Sequence, residues 1–211
     1  MTAANNYTTP QEEFWAGTFG SEYIGRNDSD QLLASNLNFF TKALHQAGRV
    51  LSCLELGANI GMNLKALQLL YPGIKLKGAE INPDAAKVLG ELIGEKNVYL
   101  GSIFDYPISS QVDVSLIKGV LIHINPDMLN IVYEKLYQAS NRFILVCEYY
   151  NPSPATISYR GHADRLYKRD FAGEMLLKYS DLRLVDYGFS YHRDPAFPQD
   201  DITWFLMEKR T

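Results

Sequence analysis

Apolar and polar positions change their period several times along this chain. Between residues 29 and 46, Leu32, Leu33, Leu37, Phe40 and Leu44 recur at helical spacing, and Gly48 ends the run. Short apolar runs then alternate with helical stretches. The pattern predicts a first strand over 50–56, a helix over 62–71 ended by Pro72-Gly73, and a second strand over 75–81. A helix over 83–94 follows, capped by Asn82-Pro83-Asp84, then a third strand near 97–100 and a fourth over 112–118. Asn125-Pro126-Asp127 opens a helix to Gln138, and a fifth strand covers 142–148. Strands apolar on both faces, joined by helical crossovers, imply a parallel sheet covered on both sides.

The C-terminal end breaks this alternation. Residues 182–189 and 202–207 both read as strands, and no helical stretch separates them. They are expected to pair as an antiparallel hairpin closing the parallel sheet. The first ten residues are polar and read as frayed, whereas 11–27 are rich in aromatics: Phe14, Trp15, Phe19 and Tyr23. One domain over 1–211 is expected, with residues 1–47 as a cap and 150–172 as an excursion from the sheet.

Composition adds exclusions. A net charge of −4 gives no overall attraction to DNA or to an anionic membrane. No apolar run approaches the roughly 18 residues of a membrane span, and the first residues lack the basic and apolar regions of a signal peptide. Cys53 and Cys147 fall on the first and fifth strands, which the fourth would hold roughly 10 Å apart, too far for a disulfide. Buried free thiols and a cytoplasmic location are the expectation. The four histidines show no metal-ligand spacing, and no Walker or Gly-x-Ser-x-Gly motif occurs.

The chemistry concentrates in Glu55-x-Gly57-x-Asn59-x-Gly61-Met62, which ends the first strand and opens a helix. Glycines permit a sharp turn and close backbone approach to a ligand, and Asn59 tolerates positive φ. A dinucleotide fingerprint reads G-x-G-x-x-G, and its last glycine is Met62 here, so a pyrophosphate would be crowded. A ligand without phosphates fits better, and S-adenosyl-L-methionine is one, with an ammonium suited to an acid near the loop. Glu80 ends the second strand, 23 positions after Gly57. That is about where nucleotide-binding folds place the acid that holds ribose hydroxyls.

These residues resemble the first motif of the class I SAM-dependent methyltransferases. The closing antiparallel strand resembles that family's sheet, ordered 3-2-1-4-5-7-6 in a Rossmann-like fold. The resemblance extends along most of the chain. Phe14-Trp15, Phe19-Gly20-Ser21-Glu22-Tyr23, Arg26-Asn27, 119–126, Tyr159-Arg160-Gly161 and 168–171 resemble the methyltransferases found with pseudaminic acid and related nonulosonic acid biosynthesis. Asn59 departs from the central glycine common in the wider family.

The resemblance implies a cofactor across the ends of strands one, two and four. Glu55, Gly57, Asn59, Gly61 and Gly119 would flank its methionine part, Glu80 and Ile81 its ribose, and Ser102 and Ile103 its adenine. Arg26 is the candidate for its carboxylate, with Trp15 and Tyr23 as walls of a lid or as a plug over the sheet. His123 is a candidate general base or a packed histidine at a helix start; Lys118 and His162 are alternatives. Tyr149, Tyr159, Arg160, Arg165, Lys168 and Arg169 form a candidate platform for a small anionic acceptor, or else a solvated helix face with ion pairs. The expected activity is methyl transfer to oxygen or nitrogen of a sugar acid, free or nucleotide-activated. A noncatalytic SAM-binding scaffold subunit and a methyltransferase acting on tRNA or another metabolite are the alternatives. Composition sets no oligomeric state.

Overall fold

A computed structural model describes residues 7–25, 29–159 and 162–210 of the chain. Seven strands form one sheet: β1 (Ser52–Leu56), β2 (Lys75–Glu80), β3 (Val98–Leu100), β4 (Val112–Lys118), β5 (Ser140–Glu148), β8 (Leu182–Phe189) and β9 (Thr203–Lys209). β6 (Ala155–Tyr159) and β7 (His162–Lys168) make a separate antiparallel hairpin. The helices are α1 (Pro10–Ala16), α2 (Thr18–Ile24), α3 (Asp30–Ala43), α4 (Met62–Leu70), α5 (Pro83–Ile93), α6 (Leu129–Ala139) and α7 (Phe171–Lys178).

The large sheet runs β3-β2-β1-β4-β5-β9-β8, parallel from β3 to β5 and antiparallel through β9 and β8. The expected order and closing hairpin are both present. Alternating residues of the central strands feed two cores. Leu54, Leu56, Ile117 and Val146 pack with Val132 and Leu136 of α6 and Met175 of α7. Leu116, Phe143 and Leu145 pack on the other face with Phe39 and Phe40 of α3 and Leu64 and Leu67 of α4. Cys53 and Cys147 are free and buried on β1 and β5, with β4 between them.

Two readings need correction. Residues 150–172 are not a helix face: they contain the β6–β7 hairpin and the start of α7. The reason is local, since Thr156 and Ile157 alternate against Tyr167 and Leu166 across the hairpin. The aromatic stretch is two short helices. Thr9 is not frayed, because it caps α1 in a reciprocal box in which its backbone N–H donates to Glu12 Oε2 at 2.9 Å.

Asn82 fastens those helices to the sheet. Its Oδ1 accepts from the backbone amides of Asp84 (3.0 Å) and Ala85 (3.1 Å), capping α5. Its Nδ2 donates toward Trp15 O (3.2 Å) and Ser21 Oγ (3.2 Å). Asn82→Ala is therefore expected to lower stability by about 1–2 kcal/mol in urea unfolding, through the lost cap. Asn82→Asp keeps the cap but turns a donor into an acceptor facing a carbonyl, so limited proteolysis should cut the N-terminal helices faster. Wild-type resistance in that variant would show that the amide does not hold them.

Candidate functional site

β1 is flanked by β2 on one side and β4 on the other, so the loops leaving β1 and β4 part in opposite directions and open a crevice. A cavity of about 660 Å³ occupies it, within the roughly 300–1,000 Å³ usual for small-molecule sites. Its floor is residues 57–60 of the loop after β1. Gly57 has φ 77°, and a Cβ there would meet Val120 Cγ2 at 2.6 Å. Asn59, at φ 49°, is the only described non-glycine residue with positive φ. Its side chain stabilises the turn, with Oδ1 accepting from Ile60 N at 2.8 Å.

Glu80 joins this loop to the next strand end. Oε2 accepts from Asn59 N at 2.7 Å and Oε1 from Asn82 N at 2.8 Å. The residue is 8% exposed and lines the cavity. Burial raises its pKa, and the amides of Asn82, Asn59 and Ile81 oppose the rise. A carboxylate has about four acceptor sites, so Glu80 keeps capacity for a ligand hydroxyl.

Glu55 and Gly61 do not line the cavity. Glu55 lies one layer below, fully buried, with Oε1 accepting from Asn63 Nδ2 at 2.6 Å and Oε2 without a hydrogen-bond partner. Gly61 is the residue before α4, at φ 86°. Burial pushes the Glu55 carboxyl up to about 8, against the Asn63 bond and Lys118. Lys118, at the end of β4, lines the cavity with its amine 5.4 Å from the centre of the Phe39 ring. Burial pulls its pKa down.

Glu148 went unrecognised in the sequence. It is 2% exposed at the end of β5, and Oε1 accepts from Val120 N (2.9 Å) and Leu121 N (2.8 Å). It thereby holds the turn carrying Gly119 and His123. Its carboxyl is pushed up to about 7, chiefly by burial. His123 lines the cavity with its ring 4.8 Å from Trp15, whose indole also meets Tyr23 edge-on at 5.4 Å. Trp15, Tyr23, Ile81, Ser102, Ile103 and Gly119 all line the same cavity. Ser102 Oγ accepts from Phe104 N at 3.1 Å, leaving its hydroxyl proton to donate.

The platform divides. Tyr149 lines the cavity, with the Lys168 amine 5.2 Å from its ring centre. Lys168 and Arg169 do not line it, and Arg169 is bound to Glu174 at 2.7 Å. Arg26 and Arg160 lie outside the described residues, as do the side chains of Tyr159, His162 and Arg165. Part of the wall comes instead from α3 and the loop between β8 and β9. Asn36 Oδ1 accepts from Gln199 Nε2 at 2.7 Å, and His192, Gln199 and Asp200 reach the cavity. One sequence signal was present: that connection is far longer than the two to five residues a hairpin needs, and such loops are often functional.

No family model matches the chain, and no curated protein does. Solved structures match it by shape. One is the 1,6-didemethyltoxoflavin-N1-methyltransferase of Burkholderia thailandensis, solved with S-adenosylhomocysteine (TM-score 0.71, 15% identity, 99% of this chain and 94% of that one). Another is the magnesium protoporphyrin IX methyltransferase of Synechocystis PCC 6803 with SAM (0.68, 12%, 98% and 100%). A third is the mitomycin 7-O-methyltransferase (0.66, 16%), of which this chain covers 61% while 95% of its own length is matched. The chain has the Rossmann-like methyltransferase fold.

The buried carboxyls generate a prediction. Between about pH 4.5 and 8 the folded state holds a proton on Glu55 that the unfolded chain has lost. Stability from this group is therefore full below pH 4.5 and declines as pH rises toward 8. Glu55→Gln should remove that decline, gaining about 2–3 kcal/mol relative to wild type between pH 5.5 and 8. Urea unfolding at the two pH values checks it, and parallel pH profiles would contradict it.

Proposed function

We propose that this protein is a SAM-dependent methyltransferase that transfers a methyl group to oxygen or nitrogen of a small-molecule acceptor. The observation carrying this reading is Glu80. A carboxylate at the end of β2 is tied to the glycine loop and also faces the cavity. Such an acid holds two vicinal hydroxyls, as a ribose presents them.

The residues fit an adenosyl cofactor. Gly57 leaves backbone open where a side chain would collide with Val120, Glu80 meets a diol, and Ser102 and Ile103 offer a polar edge beside an apolar face. Bound there, the cofactor supplies an activated methyl group. The protein's part is alignment, which is worth roughly 7–11 kcal/mol when reacting groups are held near attack geometry. Trp15 and Tyr23 exclude water from one side. His123, on the turn held by Glu148, takes the proton from a hydroxyl acceptor.

The acceptor we propose is a small anionic molecule, with a nonulosonic-type sugar acid as the specific candidate. The sequence resemblance supports this.

Calorimetric titration with SAM and S-adenosylhomocysteine is expected to show saturable binding. Glu80→Gln keeps one acceptor oxygen but sets an NH2 against a backbone amide. It should weaken S-adenosylhomocysteine about 10- to 100-fold, the equivalent of roughly 1.5–3 kcal/mol for a hydrogen bond to a charged group. Unchanged affinity would remove Glu80 from the ribose role, and purification with NADH bound would overturn the class. His123→Ala should leave cofactor affinity intact and slow methylation of a hydroxyl by about 10²–10⁴-fold. Undiminished turnover would leave His123 as a wall residue.

A further inference from the structure

Lys118 is the only lysine or arginine among the described residues lining the cavity. Arg169 is bound to Glu174, and the Lys168 amine lies 5.2 Å from the centre of the Tyr149 ring rather than in the cavity lining. Lys118 makes no hydrogen bond and no ion pair among the described residues; its amine lies 5.4 Å from the centre of the Phe39 ring. The charged and titratable groups around it are Glu55 on β1, Cys147 and Glu148 on β5, and Asp200 on the loop before β9. None of these carboxylates is within 4 Å of its amine. An ammonium in such a place lacks the compensation that burial of charge requires.

Asn36 stands one helical turn before Phe39 on α3, so both share a face of that helix. It also lines the cavity. Its Oδ1 is taken by Gln199, while its Nδ2 makes no hydrogen bond among the described residues. The wall therefore presents one cation and one amide donor, neither used by the protein. Two donors carrying a single positive charge match a group with two acceptor oxygens and a single negative charge. A phosphate dianion would be left half-neutralised.

Resting on the methyltransferase reading, we propose that Lys118 and Asn36 together receive the carboxylate of a ligand bound in this cavity. The carboxylate has two possible sources, the methionine part of the cofactor and the acceptor. Asp200 on the same wall favours the cofactor, because an α-amino acid brings an ammonium beside its carboxylate.

Lys118→Met tests this, since it keeps length and apolar packing and removes the charge. Wild type and variant are titrated with S-adenosylhomocysteine and with 5′-methylthioadenosine, which lacks the amino-acid carboxylate. If the cofactor is the source, the variant binds S-adenosylhomocysteine at least ten-fold more weakly and methylthioadenosine within three-fold of wild type. The acceptor arm uses N-acetylneuraminate, a carboxylated nonulosonic sugar, added to protein saturated with S-adenosylhomocysteine. If the acceptor is the source, cofactor affinity persists and binding of the sugar acid is lost. Wild-type affinity of the variant for both carboxylates overturns the proposal. Loss of methylthioadenosine as well marks a damaged fold, and Lys118→Gln then decides by the same criteria. Failure of wild type to bind either adenosine compound overturns the methyltransferase reading itself.

Discussion

The site depends on one carboxylate. Glu80 takes a backbone amide on each oxygen, one from the loop after β1 and one from the residue that caps α5. A charged acceptor makes both bonds stronger than neutral ones. The loop conformation needs this, because Asn59 is held at positive φ, where most side chains are strained. Asn82, positioned by the same carboxylate, carries the N-terminal helices. The floor of the cavity and its aromatic cover thus meet at a single acid. The same acid is also turned toward the cavity, so structure and ligand recognition draw on one group.

A second feature is the set of ionisable groups at the ends of β1, β4 and β5. Glu55, Lys118 and Glu148 occupy neighbouring strand ends, and Glu55 and Glu148 each keep one buried oxygen without a partner. Groups left this way are costly in a folded core. Their placement answers to the site rather than to packing. Glu148 uses its other oxygen to fix the turn bearing His123, and Glu55 uses its own to fix Asn63 at the start of α4. Between them Lys118 faces the cavity.

Much of the fold was legible in the sequence because its strands are apolar on both faces and its helices carry clear caps. Asn82-Pro83-Asp84 marked α5, and the closing β8–β9 pair followed from two strands with no helix between. The glycine loop and Glu80 were legible because a nucleotide fold fixes their spacing. What escaped the sequence depends on long-range contact. Glu148 looks like an ordinary strand-end acid until its partners, Val120 and Leu121, are brought to it from the end of the neighbouring strand β4. Asn36 and Gln199 are far apart in sequence and meet only in the folded wall. The β6–β7 hairpin hid behind dense charge that reads equally well as a helix surface, and Arg169 spends its charge on Glu174.

The most direct measurement is a crystal structure of the protein with S-adenosylhomocysteine. The account predicts the ribose hydroxyls hydrogen-bonded to Glu80, the adenine between Ser102 and Ile103, and the thioether directed toward His123. A ligand bound elsewhere, or a ribose with no contact to Glu80, would contradict it.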